Sequence, residues 1–418
     1  MLATILAATI SLHVSPNRLA SAGIDLPIAE SCLAVDPADP KHLVGTAIVY
    51  ADEPLKSHCA TFLSRDGGET WSNAQLPVVT CGDPWAIVGP KQTIVTVLAG
   101  APAFGIDDGF LVFRSSDGGA TWPAPPLPLA TYVDHDTLFA DRRDPARQRL
   151  YALGELSHRV EGQRRDDVFL ARSDDWMTFP RVTRVTPSNL HFNTFTGAVL
   201  RDGAVVVTYG DFMPWTKGPK ARLEKGRNWM LASRDGGVTF GAPLLIAEGC
   251  TKQFPVLAAD PADDTLYFLC ASEDARHLGV YRSRDRGESW SDPLPVPAEA
   301  EGTTLHAANI AVGKNGVLLV SWMRETDEAK HCNGLFAAAS GDGGDTFTKP
   351  VRVSDGTPCN ATERNAHAIK RFDYGGDYYG LDADRDGVFH LIWSDSRNGV
   401  YQLWSASVTA APALDSKH

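Results

Sequence analysis

SRDGGETW, from Ser64 to Trp71, decides how this chain folds, because the chain repeats it. SSDGGATW spans Ser115 to Trp122, SRDGGVTF spans Ser233 to Phe240, SRDRGESW spans Ser283 to Trp290 and SGDGGDTF spans Ser340 to Phe347. A shortened copy, SDDWMTF, runs from Ser173 to Phe179. The shared aspartates are Asp66, Asp117, Asp175, Asp235, Asp285 and Asp342, spaced 51, 58, 60, 50 and 57 residues apart. That is the period of a four-stranded sheet plus variable loops. The octapeptide is a folding device: its carboxylate can accept backbone N–H groups across a turn, Gly supplies the left-handed position, and the closing aromatic packs back between sheets.

Each copy follows a β-rich run such as CATFL, GFLVF or GLFAAA. Further upstream lies a second repeat, an apolar strand, a turn and another strand, as in PWAIVGPKQTIVTVLA and ANIAVGKNGVLLVSW. Seven such hairpins accompany six octapeptides, and the last unit ends at YQLWSASV without a fourth strand. An open outer edge is an aggregation hazard. The segment TISLHVSP near the N-terminus precedes the first hairpin and is the natural donor. The expected fold is an all-β, seven-bladed β-propeller, six blades being the alternative, with the ring closed by the N-terminal strand in the last blade. No linker divides the chain, so residues 1–418 are expected to form a single domain with blades starting near 30, 81, 133, 191, 252, 305 and 377.

Composition agrees. The chain has 418 residues, 43% hydrophobic, with 37 Gly and 27 Pro scattered between short apolar runs, the signature of many strands and turns. Its 39 Lys+Arg against 51 Asp+Glu give a net charge of −12. No basic stripe exists to neutralise phosphates, which argues against nucleic acid or an anionic membrane as partner. No apolar run reaches the ~20 residues that span a bilayer. MLATILAATISLHV lacks a preceding Lys or Arg, so it reads as a strand rather than a signal peptide.

Seven cysteines leave at least one unpaired within the chain. Blade register suggests Cys59–Cys81, Cys332–Cys359 and Cys250–Cys270 as pairs, with Cys32 buried in a first strand; seven reduced, buried thiols is the other reading. Disulfides imply an exported protein, secreted, periplasmic or on the cell surface.

In this register the octapeptides occupy one face of the ring and the loops entering first strands and leaving second strands occupy the other. Ligand sites collect where such loops converge on the channel. Side chains aimed there include Glu30, Asp83, Trp85, Asp134, His135, Asp136, His191, His306, Tyr378 and Tyr379 from first strands, and Glu155, Arg324, Glu325 and Arg397 from second strands. Asp382-x-Asp384-x-Asp386-Gly387 opens like a calcium loop, but Trp393 stands where the closing Glu belongs, so a plain turn is expected and no cofactor or metal beyond a marginal structural Ca2+. Asn360-Ala361-Thr362 is a glycosylation sequon. There is no zinc-type Cys cluster, phosphate loop or Ser-centred nucleophile elbow.

The octapeptides and the GDYYGLDADRDGVFHLIWSDSRNGVYQLW tail resemble the sialidase-like Asp-box (BNR) repeat superfamily over roughly residues 28 to 408. The resemblance implies a carbohydrate-active propeller, a glycoside hydrolase of exo-sialidase type acting on a glycan or polysaccharide at the channel mouth. Sialidases share an arginine triad on the sugar carboxylate, a Tyr nucleophile assisted by Glu, and an Asp acid/base. Carried over, Arg324 and Arg397 with Arg364 or Arg371 would grip the sugar, Tyr378 or Tyr379 would be the nucleophile with Glu325 beside it, and Asp83 or Asp136 the acid/base. The chain departs from that pattern: it has no Arg-Ile-Pro motif before the first repeat and seven units rather than six. Two other readings follow. In a uronate polysaccharide lyase, His135, His191 and His306 with Tyr378 and Arg397 would supply base, acid and charge neutralisation. In a non-catalytic glycan- or protein-binding propeller, Trp85, Trp215, Tyr378 and Tyr379 would stack on sugar faces.

Overall fold

The computed structural model describes residues 10–51, 57–131, 133–141, 149–160, 163–186, 191–212, 226–250, 256–298, 303–327, 332–356, 358–359 and 375–412. Among these residues, apart from two single 3-10 turns, Pro102–Phe104 and Lys314–Gly316, the regular structure is strand. The strands form seven antiparallel sheets. The innermost strand of each is Ile28–Val35, Val79–Val88, Val133–Ala140, His191–Val199, Val256–Ala259, Leu305–Val312 and Gly380–Ala383. Each touches the next innermost strand around the ring, and Gly380–Ala383 touches Ile28–Val35, which closes it. The seven-bladed propeller expected from the repeats is what forms.

Blade strands are apolar on both faces because each sheet is covered on both sides by neighbours. Cys332–Ser340 is buried along its whole length. Between the first two blades, Val44 and Ile48 pack on Val95, Val97, Leu111 and Phe113. The last blade is completed as the sequence required. Ile10–Val14 pairs antiparallel with Gln402–Pro412, in register from Ile10 opposite Pro412 to Val14 opposite Val408. Ile10, Leu12 and Val14 pack against the cluster around Phe389 and Val408.

All six octapeptides join a third strand to a fourth and so lie on one face of the ring. In each, the Ser hydroxyl donates to the Asp Oδ1, at 2.6 Å in Ser115–Asp117 and 3.0 Å in Ser173–Asp175. The same carboxylate accepts a backbone N–H and a hydroxyl three or four residues on, as from Thr70 to Asp66 at 2.9 and 2.6 Å. Two copies lack the first Gly, and there Arg286 (φ 64°) and Trp176 (φ 62°) take the left-handed position instead. The closing aromatics reach the preceding blade: Trp71 Nε1 donates to Ser405 Oγ (2.9 Å) and Trp122 Nε1 to Thr61 Oγ1 (3.1 Å).

The three disulfides are Cys59–Cys81, Cys250–Cys270 and Cys332–Cys359, as blade register suggests. Cys32 is free and buried in the first innermost strand, where burial pushes its thiol up to about 12. The Asp382–Gly387 segment is a plain turn whose carboxylates are taken up locally. Asp384 Oδ1 accepts the N–H groups of Asp386 and Val388, its Oδ2 meets His390, and Asp382 Oδ2 accepts Val35 N–H.

Candidate functional site

The face opposite the octapeptides carries the channel mouth, and the innermost strands do not enter it smoothly. Most carry a bulge near the mouth-side end. Pairing shifts between Ala29 and Cys32, Gly82 and Trp85, Asp134 and Thr137, Thr194 and Gly197, and His306 and Asn309. In four of these a residue with a side chain sits in the left-handed region: Glu30 (φ 54°), Asp83 (φ 43°), His135 (φ 48°) and Ala307 (φ 37°). Left-handed backbone at a non-Gly residue costs on the order of 1 kcal/mol and persists where the surroundings enforce it, commonly at functional sites. The bulge re-aims side chains.

The channel holds a cavity of about 770 Å3. Asp83, Trp85, His135, Asp136, Asp377 and Tyr378 line it toward the mouth, while Arg201, Asp260, Asp264, Lys314 and Arg385 line its other end. The mouth groups are connected. Tyr378 O–H donates to Asp83 Oδ1 at 3.2 Å, and the Tyr378 and Trp85 rings lie 5.8 Å apart. The His135 backbone N–H donates to Asp83 Oδ2 (3.1 Å) and to Asp134 Oδ1 (3.2 Å). Thr96 Oγ1 donates to Asp136 Oδ2 at 2.6 Å, while Asp136 Oδ1 has no partner although the residue is only 4% exposed.

Burial dominates the electrostatics. It pushes the Asp136 carboxyl well above the usual carboxylate range; the Asp83 charge pushes it further, and the Thr96 hydrogen bond opposes both. Burial also raises Asp83, which His135 pulls back and Asp134 raises again. The Tyr378 phenol is driven well up by burial, then by Asp83, Glu30 and Asp136. The mouth therefore holds a carboxyl that keeps its proton to higher pH than an ordinary carboxyl, beside a phenol hydrogen-bonded to a second carboxyl.

The structure brings Asp83, Asp136, Tyr378, His135 and Trp85 together in one wall. Tyr379 also lines the cavity, but its hydroxyl is turned to the sixth blade, and the remaining candidates are placed elsewhere. Tyr379 is 4% exposed, its hydroxyl 2.7 Å from Ser321 Oγ, and burial raises its phenol. Arg397 is held by Asp395, Asp355 and Asn17 and lies over Trp404, its guanidinium occupied by the seam with the N-terminal segment. Arg324 stacks on Phe336 at 3.9 Å. Glu325 pairs with Asn333 in the ladder, outside the cavity lining. His306 also lies outside the lining, and burial lowers its imidazole to about 4. The side chain of His191 lies outside the described residues, as do Arg364, Arg371, Trp215 and Asn360. Thr96 was not legible as a site neighbour: in TIVTVLA it is one more mid-strand residue.

Asp83, Asp134 and His135 present one ligand atom each within 4.8 Å of one another. Both oxygens of Asp83 already accept hydrogen bonds, from Tyr378 and from His135 N–H, so the cluster is accounted for by internal donors.

The BNR/Asp-box repeat family model matches residues 62–73, the first octapeptide and its flanks. A xyloglucanase of Paenibacillus sp. is 22% identical over 284 residues, 65% of this chain and 26% of that protein, so the chain spans about a quarter of that relative's length. Among solved structures, a protein of unknown function from Dyadobacter fermentans superposes with a TM-score of 0.53 at 14% identity, covering 96% of this chain and 99% of its own. The endosialidase of phage phi92 does so with a TM-score of 0.53 at 12% identity, covering 98% of this chain and 70% of its own. With six Asp boxes set in a closed ring of seven antiparallel sheets, the chain is an Asp-box (BNR) repeat β-propeller.

Proposed function

We propose that this propeller hydrolyses glycosidic bonds at the channel mouth, with Asp136 as proton donor and Tyr378, assisted by Asp83, as the group that attacks the anomeric carbon. One observation carries the reading: a 4% exposed carboxyl with an unpartnered oxygen shares a cavity wall with a hydrogen-bonded phenol–carboxylate pair. A carboxyl that keeps its proton to higher pH, beside a phenol paired with a second carboxyl, can supply the acid and the nucleophile that glycoside cleavage requires. Asp136 gives its proton to the leaving glycosidic oxygen. Tyr378 Oη bonds to the anomeric carbon as its proton passes to Asp83. Water, deprotonated by Asp136, then releases the sugar, and Asp83 returns the proton to Tyr378. Trp85, beside Tyr378, offers a face for the sugar ring.

The names of the xyloglucanase and endosialidase relatives support glycan cleavage as the class of reaction. The sugar favoured is a neutral one. With Arg324 and Arg397 engaged elsewhere, the described mouth lining offers carboxyls, His135 and aromatics but no guanidinium for a sugar carboxylate. Three disulfides favour a working place outside the reducing cytosol. No helix among the described residues is long and apolar enough to cross a membrane.

The test is a panel of xyloglucan, arabinan and aryl glycosides, aryl sialosides, and uronate polymers monitored for unsaturated products, run with wild type and Asp136→Asn. Turnover of a neutral glycan that Asp136→Asn loses supports the proposal. Binding without turnover on every arm would replace it with a recognition propeller, and unsaturated products with a lyase.

A further inference from the structure

We propose that Thr96 is the positioning residue for Asp136, so that the seam between the second and third blades, not the mouth, fixes the proton donor. The inference rests on the reading of Asp136 as donor and adds how the fold sets it. Its basis is a device found at four seams. In three, a second-strand side chain opposite the first residue of its own innermost strand beyond the bulge reaches across to the next blade; in the fourth, where the innermost strand has no bulge, a second-strand carbonyl accepts from the next blade instead. Thr46, opposite Cys32, donates to Pro84 O at 2.9 Å. Thr96, opposite Trp85, donates to Asp136 Oδ2 at 2.6 Å. Ser321, opposite Asn309, meets the Tyr379 hydroxyl at 2.7 Å. Ile392, opposite Gly380, accepts from Ser31 Oγ at 3.1 Å.

Three of the four residues met across the seam share a position too. Ser31, Pro84 and Asp136 each follow the left-handed residue of their bulge, Glu30, Asp83 and His135. At the other three seams the tie ends on a carbonyl or hydroxyl and only holds two blades together. At the second it ends on a carboxyl, which has a second oxygen to spare. Thr96 is fully buried, so no water competes for the bond. With Thr96 donating to Oδ2, the proton of the neutral acid is confined to Oδ1, the oxygen without a protein partner. The bond also stabilises the carboxylate, so it restrains the rise that burial imposes. An ordinary seam tie thus orients the acid and limits how tightly it keeps its proton.

The test compares Thr96→Val, Thr96→Ser and Thr46→Val in the full chain. Thr46 is as deeply buried and makes the same kind of tie, so Thr46→Val reports seam damage alone. Two readouts are taken. The first is the pH profile of kcat/KM on whichever glycan is turned over. The second needs no substrate: the carboxylic-acid C=O infrared band that Asp136→Asn removes, followed through pH. In Thr96→Val both midpoints are expected to move up by about one pH unit, the size of one hydrogen bond to a charged group. kcat is expected to fall about tenfold with KM unchanged. Thr96→Ser restores both, and Thr46→Val moves neither. If Thr96→Val does not fold, Thr96→Cys keeps the shape with a weaker donor and takes its place. An unmoved infrared midpoint in the Thr96 variant, or an equal shift in Thr46→Val, overturns the inference even in an active enzyme. Absence of turnover with a shifted infrared midpoint overturns the hydrolase reading and leaves the tie standing.

Discussion

Replacing Asp136 by Asn is expected to abolish turnover and at the same time stabilise the protein. Asp136 is 4% exposed, and only one of its two oxygens has a partner. A buried polar atom left unsatisfied costs about 1–3 kcal/mol, and a charged one stands at the upper end of that range. Asn keeps the Thr96 hydrogen bond and still leaves one buried polar group without a partner, but it has no ionisation for the folded state to resist, so the gain should be about 1–3 kcal/mol at pH 8. Its pH dependence follows from the raised carboxyl. In the unfolded chain an Asp titrates near about 3.9, while in the folded chain this one keeps its proton to higher pH. Across that window the folded state binds more protons, so wild-type stability falls as pH rises through it. The advantage of the Asn variant should therefore be small near pH 4 and grow toward pH 8. Guanidinium unfolding is the better assay, because in a chain of 418 residues 1 kcal/mol moves Tm by only about 1 °C. An Asn variant less stable than wild type at pH 8, or an advantage flat from pH 4 to 8, would refute the reasoning that the carboxyl is held at a cost for its chemistry.

His13→Pro removes the backbone N–H that faces Thr409 across the closing pair; it should cost about 3 kcal/mol and produce concentration-dependent association, read by light scattering. Ser115→Ala deletes a hydroxyl that donates to Asp117 and accepts from Gly119 N–H; unfolding curves should show a loss of about 1–2 kcal/mol with glycan turnover unchanged. Cys32, buried and with its thiol raised to about 12, should resist a thiol reagent in the native protein and react in full on unfolding. Reduction of the three disulfides should lower the unfolding midpoint, by about 2–4 kcal/mol for a bridge that closes a loop of 20 to 27 residues.

The sequence by itself determined the ring. The octapeptides, the seven hairpins and the unit lacking a fourth strand are local patterns, and local patterns report backbone geometry and strand period directly. Even the closing strand at Ile10–Val14 and the three cysteine pairs followed from counting units and keeping register. Register also brought Asp83, Trp85, His135, Asp136 and Tyr378 to the mouth. It could not separate Tyr378 from its neighbour Tyr379, because which of two adjacent hydroxyls joins Asp83 at the mouth depends on the seam with the sixth blade. There Ser321 takes the Tyr379 hydroxyl. Nor could it show that Arg397 is spent on Asp355 and Asp395, or that Thr96 reaches Asp136 across 40 residues of chain. Asp355 and Thr96 lie far along the chain from the groups they meet, in other blades or loops. Charge pairing and burial are set by what the ring brings alongside, so a side chain's surroundings are decided only when the ring closes.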